Sequence, residues 1–317
     1  MPSHIRMSPT DWLLLALLSL LWGGSFFFAK IAVGALPPLT VVLARVGIAA
    51  MALWALLTLR GIRVPTAPRL WLAFAGMGFL NNLVPFALIF WGETVLSSGL
   101  ASILNATTPL FSLLVAHGLT EDEKLAPNKV VGIMLGFAGV VALVGTEALD
   151  GATSHLLPIG ACLGAALSYG FASVFGRRFR RMGIEPTVGA FGQVASTAAM
   201  ALPLAALVDT PGRLAAPSMA VWVSLAGLAL LSTALAYVIF FRLLATAGAI
   251  NTSLVTLLIP VSALLLGSLI LGERLSAGHV SGMVLIAIGL VAMDGRALPW
   301  LSDRVGASIR LFVSKKV

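Results

Sequence analysis

Aromatic and polar residues recur at four-residue spacing in two apolar stretches of the sequence. They are Asn82, Phe86 and Phe90 in the first stretch and Thr233, Tyr237 and Phe241 in the second. Residues four apart share one face of a helix, so each stretch presents one polar and two aromatic groups together. Such a surface suits small amphipathic molecules, for example amino acids with apolar side chains. The alternative is aromatic residues that only face lipid or the protein core.

Prolines in the apolar stretches identify further polar groups. Proline at position i cannot donate a hydrogen bond to the carbonyl of residue i−4, so Pro109 frees the carbonyl of Asn105 and Pro260 frees that of Thr256. An unpaired carbonyl is costly in hydrocarbon, so we expect both points to face protein or a wet cavity. Pro85 predicts a third helix kink. Kinks that serve only helix packing are the alternative.

Trp22 and Tyr169 occupy matching positions in the two halves of the chain and extend the predicted aromatic wall. The sequence therefore predicts a substrate site built from aromatic, amide and hydroxyl side chains. Its members are Trp22, Asn82, Phe86, Asn105, Tyr169, Thr233, Tyr237 and Thr256.

Charged residues inside apolar stretches are costly and usually mark functional positions. Arg45 lies about 10 Å along a helix from Pro38, at about 1.5 Å per residue, which is too deep for easy snorkelling. Lys30 stands near the end of its stretch. We expect the two cations to give an outer vestibule a positive field that Glu93 or Glu273 balances. Arg45 then serves either in a structural ion pair or in direct contact with a substrate carboxylate.

The other ionisable residues show no pattern of a metal site or of an Asp/Glu/His proton relay, and we expect no metal and no cofactor. The histidines are terminal or close to loops, at His4, His117, His155 and His279. No phosphate-binding glycine loop, zinc-protease motif or serine-hydrolase elbow is present in the sequence. An intramembrane enzyme is therefore only a remote alternative.

Composition shows which elements must position these residues. The chain has 317 residues, 59% hydrophobic and 10% charged, and its mean hydropathy is +1.03. Soluble domains carry about a quarter charged residues, so an ordinary soluble enzyme is excluded. At about 20 residues per crossing, the sequence predicts an all-α polytopic membrane protein with ten helices. The predicted spans are 12–33, 39–60, 70–91, 97–119, 129–146, 156–178, 186–208, 220–243, 247–271 and 279–297.

The net charge of +8 is mainly a topology signal. Most basic residues fall between apolar stretches, in the segments that are cytoplasmic if the N-terminus is cytoplasmic. The positive-inside rule therefore predicts that both termini are cytoplasmic. The same scattered distribution argues against nucleic-acid binding, which needs a contiguous basic face.

The second half of the sequence repeats the first. The segment from Trp71 to Gly76 matches that from Trp222 to Gly227, and Pro109 matches Pro260. Further matches pair Gly23 with Gly170, Phe28 with Phe175, Glu123 with Glu273, Gly132 with Gly282 and Gly139 with Gly289. Because each copy carries an odd number of predicted spans, the copies must have opposite orientations in the membrane. Inverted repeats are typical of secondary transporters.

These residues resemble a known family. Trp22-Gly23-Gly24-Ser25-Phe26, Ala101 to Leu104 with Pro109-Leu110, and the Glu123-Lys124-Leu125 and Glu273-Arg274-Leu275 pairs are similar to the EamA repeat of the drug/metabolite transporter superfamily. The resemblance covers about residues 12–297 and comes nearest to the YddG-like group of bacterial amino-acid exporters. It implies a basket-like ten-helix fold with a central cavity, and export without nucleotide hydrolysis. Thr120-Glu121-Asp122 and Glu93 depart from the family pattern.

The resulting interpretation divides the chain into five segments. These are a cytoplasmic N-terminus (1–11), a first repeat (12–146), an extracytoplasmic linker (147–155), a second repeat (156–297) and a cytoplasmic basic tail (298–317). We expect a secondary transporter in the bacterial cytoplasmic membrane that exports amino acids or related metabolites. Export or import of a nucleoside, vitamin or cationic drug is the alternative. Its partners are the substrate and the lipid bilayer; we expect a monomer, with a dimer through glycine-rich helix faces as the alternative.

Overall fold

The computed structural model describes residues 7–121, 127–149, 155–252, 254–274 and 276–294, and this part of the chain is helical without strands. The main helices are α1 (Pro9–Val33), α2 (Pro38–Leu59), α3 (Pro68–Glu93), α4 (Ser98–Leu119), α5 (Pro127–Leu149), α6 (Leu156–Arg181), α7 (Pro186–Val208), α8 (Met219–Thr246), α9 (Val255–Ile270) and α10 (Ala277–Asp294). A short helix, Gly248–Thr252, precedes α9.

Within the described residues, seven helices are long and apolar enough to cross a membrane, namely α1 to α4 and α6 to α8. Shorter apolar stretches lie in the other three, at Lys129–Ala142, Leu258–Ile270 and Ala277–Ala292. The prediction of an all-helical membrane protein is confirmed. Residues 1–6 of the predicted N-terminal segment, 150–154 of the predicted linker, Glu123 and the predicted basic tail lie outside the described residues.

Several helix boundaries follow from local chemistry. Proline stands in the first turn of α1, α2, α3 and α7, where its missing N–H costs nothing. Ser8 and Asp11 form a capping box at the start of α1. Gly61 and Gly183 follow α2 and α6 with positive φ angles of 66° and 65°, which favour glycine.

The helices pack in corresponding pairs. α1 packs on α9, and the corresponding helices α6 and α4 also pack on each other. In the same way α3 packs on α7, and the corresponding helices α8 and α2 pack on each other. α3 also packs on α6, and the corresponding helices α8 and α1 pack on each other. Two further close pairs, α2 with α7 and α5 with α10, each join equivalent helices of the two halves. This is the arrangement that a twofold relation between two copies of one unit produces.

Glycine contacts show the same relation at the level of single residues. A methyl group added to Gly76 would lie 2.6 Å from the Phe175 ring, and one added to its repeat mate Gly227 would lie 2.7 Å from the Phe28 ring. Phe28 and Phe175 are themselves matched in the repeat, so the two contacts are reciprocal. Glycine at both sites gives an aromatic ring room to lie against the facing helix.

The contact between α5 and α10 fixes their relative direction. A methyl group on Gly139 would lie 2.8 Å from the carbonyl oxygen of Gly282, and one on Gly289 would lie 2.6 Å from that of Gly132. Residue numbers therefore increase along α5 in the direction in which they decrease along α10, so the two helices are antiparallel. The small residues bring the two backbones together inside one chain.

This packing predicts that Gly139→Ala lowers the stability of the folded protein. Overpacking costs about 1–3 kcal/mol because the methyl group meets backbone rather than a movable side chain. Thermal unfolding of the purified protein in detergent measures the effect. Gly160→Ala is the matched control because a methyl group there meets nothing within 4 Å. Equal midpoints for the two variants would contradict the observed packing.

Candidate functional site

The centre of the described bundle contains a buried cation. Arg45 of α2 is 6% exposed. Its Nε donates a hydrogen bond to Thr233 Oγ1 of α8 at 2.9 Å, and its guanidinium carbon lies 3.8 Å from the ring centroid of Phe86. Phe90, stacked against Phe86, is 5.8 Å from the same carbon. Two aromatic faces and one hydroxyl therefore hold the guanidinium.

Arg45 keeps most of its donors available. A guanidinium has five N–H groups in a planar fork and stays charged in proteins. Among the described residues, only Thr233 accepts a hydrogen bond from it, through Nε. The Nη groups thus present an unused fork of the kind that binds a carboxylate in two parallel hydrogen bonds.

An amide network lies beside the cation. Tyr237 donates its hydroxyl hydrogen to Asn82 Oδ1 at 2.8 Å, and Asn81 Nδ2 donates to Gln193 Oε1 at 3.0 Å and to the Tyr237 oxygen at 3.3 Å. Asn82 Nδ2 donates to Thr197 Oγ1 at 3.3 Å. Three helices, α3, α7 and α8, are joined by this network.

The cation and the amide network occupy corresponding positions of the two halves. α2 begins at Pro38 and α7 at Pro186, and this alignment places Gln193 opposite Arg45. Arg45 approaches Thr233, and Gln193 approaches the repeat mate of Thr233, Asn82. The scaffold is therefore twofold, but its chemistry is not, because a cation stands on one side and a neutral amide on the other.

Gln193 is the site residue that the sequence analysis missed. A glutamine in an apolar stretch is an ordinary polar residue when read alone. The available signal was its position in the repeat, which becomes visible when the two proline-started helices are aligned on Pro38 and Pro186.

Widened helical turns place the polar residues. Phe79–Leu83 in α3 and Gly227–Leu235 in α8 are π-helical, at equivalent positions of the repeat. A π segment inserts an extra residue per turn and leaves carbonyls that need other donors. Ser168 Oγ donates to the Leu80 carbonyl at 2.7 Å, and Thr233 Oγ1 donates to the Leu228 carbonyl at 2.8 Å. The π segment of α3 lies directly before Pro85, whose missing N–H removes a regular helical bond.

The other predicted substrate residues lie around this centre. Tyr169, partly buried on α6, interacts electrostatically with Arg45 and Tyr237. Trp22 of α1 contacts Phe240, with ring centroids 5.4 Å apart, and the described rings in cation–π contact with Arg45 are those of Phe86 and Phe90 instead.

The two prolines of α4 and α9 have different surroundings. α4 is interrupted at residues 106–107, just before Pro109, and Thr108 Oγ1 donates to the freed Asn105 carbonyl at 2.7 Å. The side-chain oxygen of Asn105 is buried and accepts no hydrogen bond from any described residue. α9 continues through Pro260, and Thr256 lies partly buried one turn before it.

Among the described residues, no hydrogen bond joins Glu93 or Glu273 to Lys30 or Arg45, and the predicted balance of their charges stays a prediction. Lys30 Nζ donates to the backbone carbonyls of Glu93 and Leu96, at 2.7 Å each. Glu273 accepts hydrogen bonds from Ser98 at the start of α4. Glu93 is fully buried rather than lining an open mouth. Main-chain carbonyls therefore hold Lys30 and the N-terminus of α4 holds Glu273, whereas the carboxylate of Glu93 has no hydrogen-bond partner among the described residues.

Two segments of the chain, residues 10–145 and 156–293, match the model of the EamA-like transporter family. The chain belongs to the EamA-like transporter family. The resemblance found in the sequence is thus confirmed.

Relatives of this EamA-like transporter are transporters of similar length. "Uncharacterized inner membrane transporter YedA" of Escherichia coli (strain K12) is 30% identical, over 89% of this chain and 90% of that protein. "Uncharacterized transporter YoaV" of Bacillus subtilis is 28% identical, over 86% and 92%. "Probable amino-acid metabolite efflux pump" of Escherichia coli (strain K12) is 27% identical, over 90% and 94%.

A solved crystal structure of a protein shares the fold of this EamA-like transporter. Its TM-score is 0.64 at 21% sequence identity, over 90% of this chain and 96% of that one. At that identity the likeness extends to the fold alone.

The geometry of the site predicts that Thr233→Val destabilises the protein by about 1.5–3 kcal/mol, the usual worth of a hydrogen bond to a charged group. The substitution keeps the shape of the side chain but removes the acceptor of Arg45 Nε. Thermal unfolding in detergent measures the loss. Thr58→Val, at an exposed threonine bonded only to the carbonyl of Ala55, is the matched control. A loss no larger than that of the control would show that Arg45 does not depend on Thr233.

Proposed function

We propose that this EamA-like transporter is a secondary transporter that exports amino acids, neutral and aromatic ones foremost, by alternating access and without a cofactor. The observation that carries the proposal is the buried guanidinium of Arg45, whose Nη groups bond to no described residue. A cation in this position is costly unless an anion occupies it during function. The carboxylate of an amino acid supplies that anion.

The surroundings of Arg45 suit the rest of an amino acid. Phe86 and Tyr237 offer aromatic faces for an apolar side chain. The oxygens of Asn82, Gln193 and Tyr237, in the amide network beside the cation, are acceptors for an ammonium group. A zwitterion therefore finds opposite partners at its two ends, which favours it over a cationic drug.

The relatives support this class of substrate. One of them bears the name of an amino-acid metabolite efflux pump and aligns with 90% of this chain. At 27% identity the name points to a class of cargo rather than to one amino acid.

The proposed architecture is ten membrane crossings arranged as two inverted repeats of five, with both termini in the cytoplasm of a bacterial cell. The antiparallel contact of α5 with α10 and the reciprocal contacts at Gly76 and Gly227 support the inversion. Two oppositely oriented halves can exchange conformations, which opens a central site to one side and then to the other. The transporter works as a monomer in this proposal.

We predict that the protein catalyses counterflow of amino acids and that this counterflow depends on Arg45. Liposomes containing the protein and preloaded with an unlabelled neutral amino acid take up labelled aromatic or aliphatic amino acids. The amino-acid amide, which lacks the carboxylate, fails to compete with the labelled substrate. Arg45→Gln weakens the binding of the amino acid by at least about tenfold, since a hydrogen bond to a charged group contributes about 1.5–3 kcal/mol.

Arg60→Gln is the matched control because this exposed arginine stands at the end of the same helix. Tyr237→Ala removes an aromatic side chain from the site and is expected to reduce counterflow. The amino-acid amide is expected not to compete in this variant either. Absence of counterflow for every amino acid tested would move the substrate to another metabolite class. Equal competition by the acid and its amide would refute carboxylate binding by Arg45.

The topology is predicted to place residues 60–67 in the cytoplasm and residues 209–218 outside. In a Cys162→Ser background, Ala216→Cys reacts with a membrane-impermeant maleimide in intact cells, whereas Thr66→Cys reacts only after permeabilisation. Both positions are exposed in the structure. The reverse pattern would place the termini outside, and labelling at both positions in intact cells would contradict the proposed number of crossings between them.

A further inference from the structure

The transport site described above leaves one buried acid unused. Glu93 closes α3, and none of its surface is exposed. Neither carboxylate oxygen has a hydrogen-bond partner among the described residues. Buried side-chain oxygens are almost always bonded, so this arrangement needs an explanation. A carboxylic acid that retains its proton is far less costly there than a bare carboxylate.

The ammonium group of Lys30 is hydrogen-bonded to the backbone. Lys30 Nζ of α1 donates to the carbonyl oxygens of Glu93 and Leu96, both at 2.7 Å. The first carbonyl belongs to the last residue of α3, and the second lies within the turn between α3 and α4, residues 94–97. Lys30 therefore ties α1 to this turn, and it does so without bonding to the carboxylate of Glu93.

The other titratable or charged groups that face Glu93 come from three more elements. They are Arg45 of α2, Cys162 of α6 and Glu273 of the turn between α9 and α10. Glu273 is itself bound to the first residues of α4, through Ser98 N and Oγ at 2.8 Å and Gly99 N at 3.2 Å. Lys30 thus holds the turn, Glu273 holds the first residues of α4 that follow it, and Glu93 is the last residue of α3 before it.

We propose that Glu93 is a proton-binding site whose ionisation opens the turn between α3 and α4. With the proton on a carboxyl oxygen, Glu93 is neutral and Lys30 stays on the two carbonyls. When the proton leaves to water, the carboxylate that remains attracts the Lys30 ammonium away from the carbonyls. The start of α4 then keeps its hydrogen bonds to Glu273, but the turn loses its hydrogen bond to α1.

This mechanism couples proton binding at Glu93 to access of the substrate to the transport site. The arrangement in which Lys30 bonds to the two carbonyls is the protonated form, and removal of the proton favours the form in which α1 and the turn separate. The proton is the ligand, so the binding site itself does not depend on the cargo. Its effect on transport rests on the proposed function.

Infrared difference spectroscopy of the purified protein without substrate tests the proton directly. The difference between the native protein and Glu93→Gln is expected to contain the C=O stretching band of a protonated carboxyl group at neutral pH. The band disappears on titration to higher pH and returns, shifted, in Glu93→Asp. Glu273→Gln is the matched control: this carboxylate accepts three hydrogen bonds, so its removal leaves the protonated band in place.

Absence of a protonated-carboxyl band from the native protein, or its persistence in Glu93→Gln, would overturn the proposal. A second measurement tests the link to the turn. In Lys30→Gln the band is expected to persist to higher pH than in the native protein, because the carboxylate has lost the ammonium that it attracts. An unchanged titration would overturn the role of Lys30.

Transport provides a separate test. Counterflow by the native protein is expected to depend on pH between mildly acidic and mildly alkaline values, and Glu93→Gln is expected to lose that dependence. Counterflow that keeps its full pH dependence in Glu93→Gln would refute the coupling. If no amino acid is transported, the infrared band still decides whether Glu93 binds a proton, so failure of the proposed cargo and failure of the proton site are distinguishable.

Discussion

A guanidinium that stays charged has to be accommodated between the helices of a membrane protein, and the centre of this structure is built around that requirement. Arg45 is buried, so neighbouring helices must supply its partners. α8 provides a hydroxyl at Thr233, and α3 provides aromatic faces at Phe86 and Phe90. The three helices are thereby fixed relative to one another at the level of the cation.

The widened turns are part of the same solution. A π segment in α8 positions Thr233, and a π segment at the equivalent point of α3 positions Asn81 and Asn82. Each segment gives up regular backbone bonds, and hydroxyl groups such as that of Ser168 replace them. In hydrocarbon such irregular backbone is tolerated only inside the protein, so these turns belong at a site rather than on a lipid-facing surface.

The scaffold is close to twofold, whereas the chemistry at its centre is not. Reciprocal glycine contacts, as at Gly139 and Gly289, keep corresponding helices at the same separation in both halves. At the centre, Arg45 on one side corresponds to Gln193 on the other. In the proposed function, a symmetric frame lets the halves interchange conformations, while the single cation gives a zwitterionic substrate one preferred orientation. The two properties are carried by different residues and need not conflict.

Much of this protein follows from the sequence by itself. Its hydropathy requires a membrane, its helix-starting prolines set several boundaries, and the match of its two halves predicts the paired packing, because these are properties of short segments or of their repetition. The aromatic and polar spacing also identified Asn82, Phe86, Thr233 and Tyr237 as residues of one centre. The position of Gln193 in the repeat was a usable signal. Only the tertiary structure decided that the π turns aim these residues and that the Glu93 carboxylate is buried with no hydrogen-bond partner among the described residues. Those outcomes depend on which helices meet and at what depth, and spacing along one helix carries no information about the distance to another.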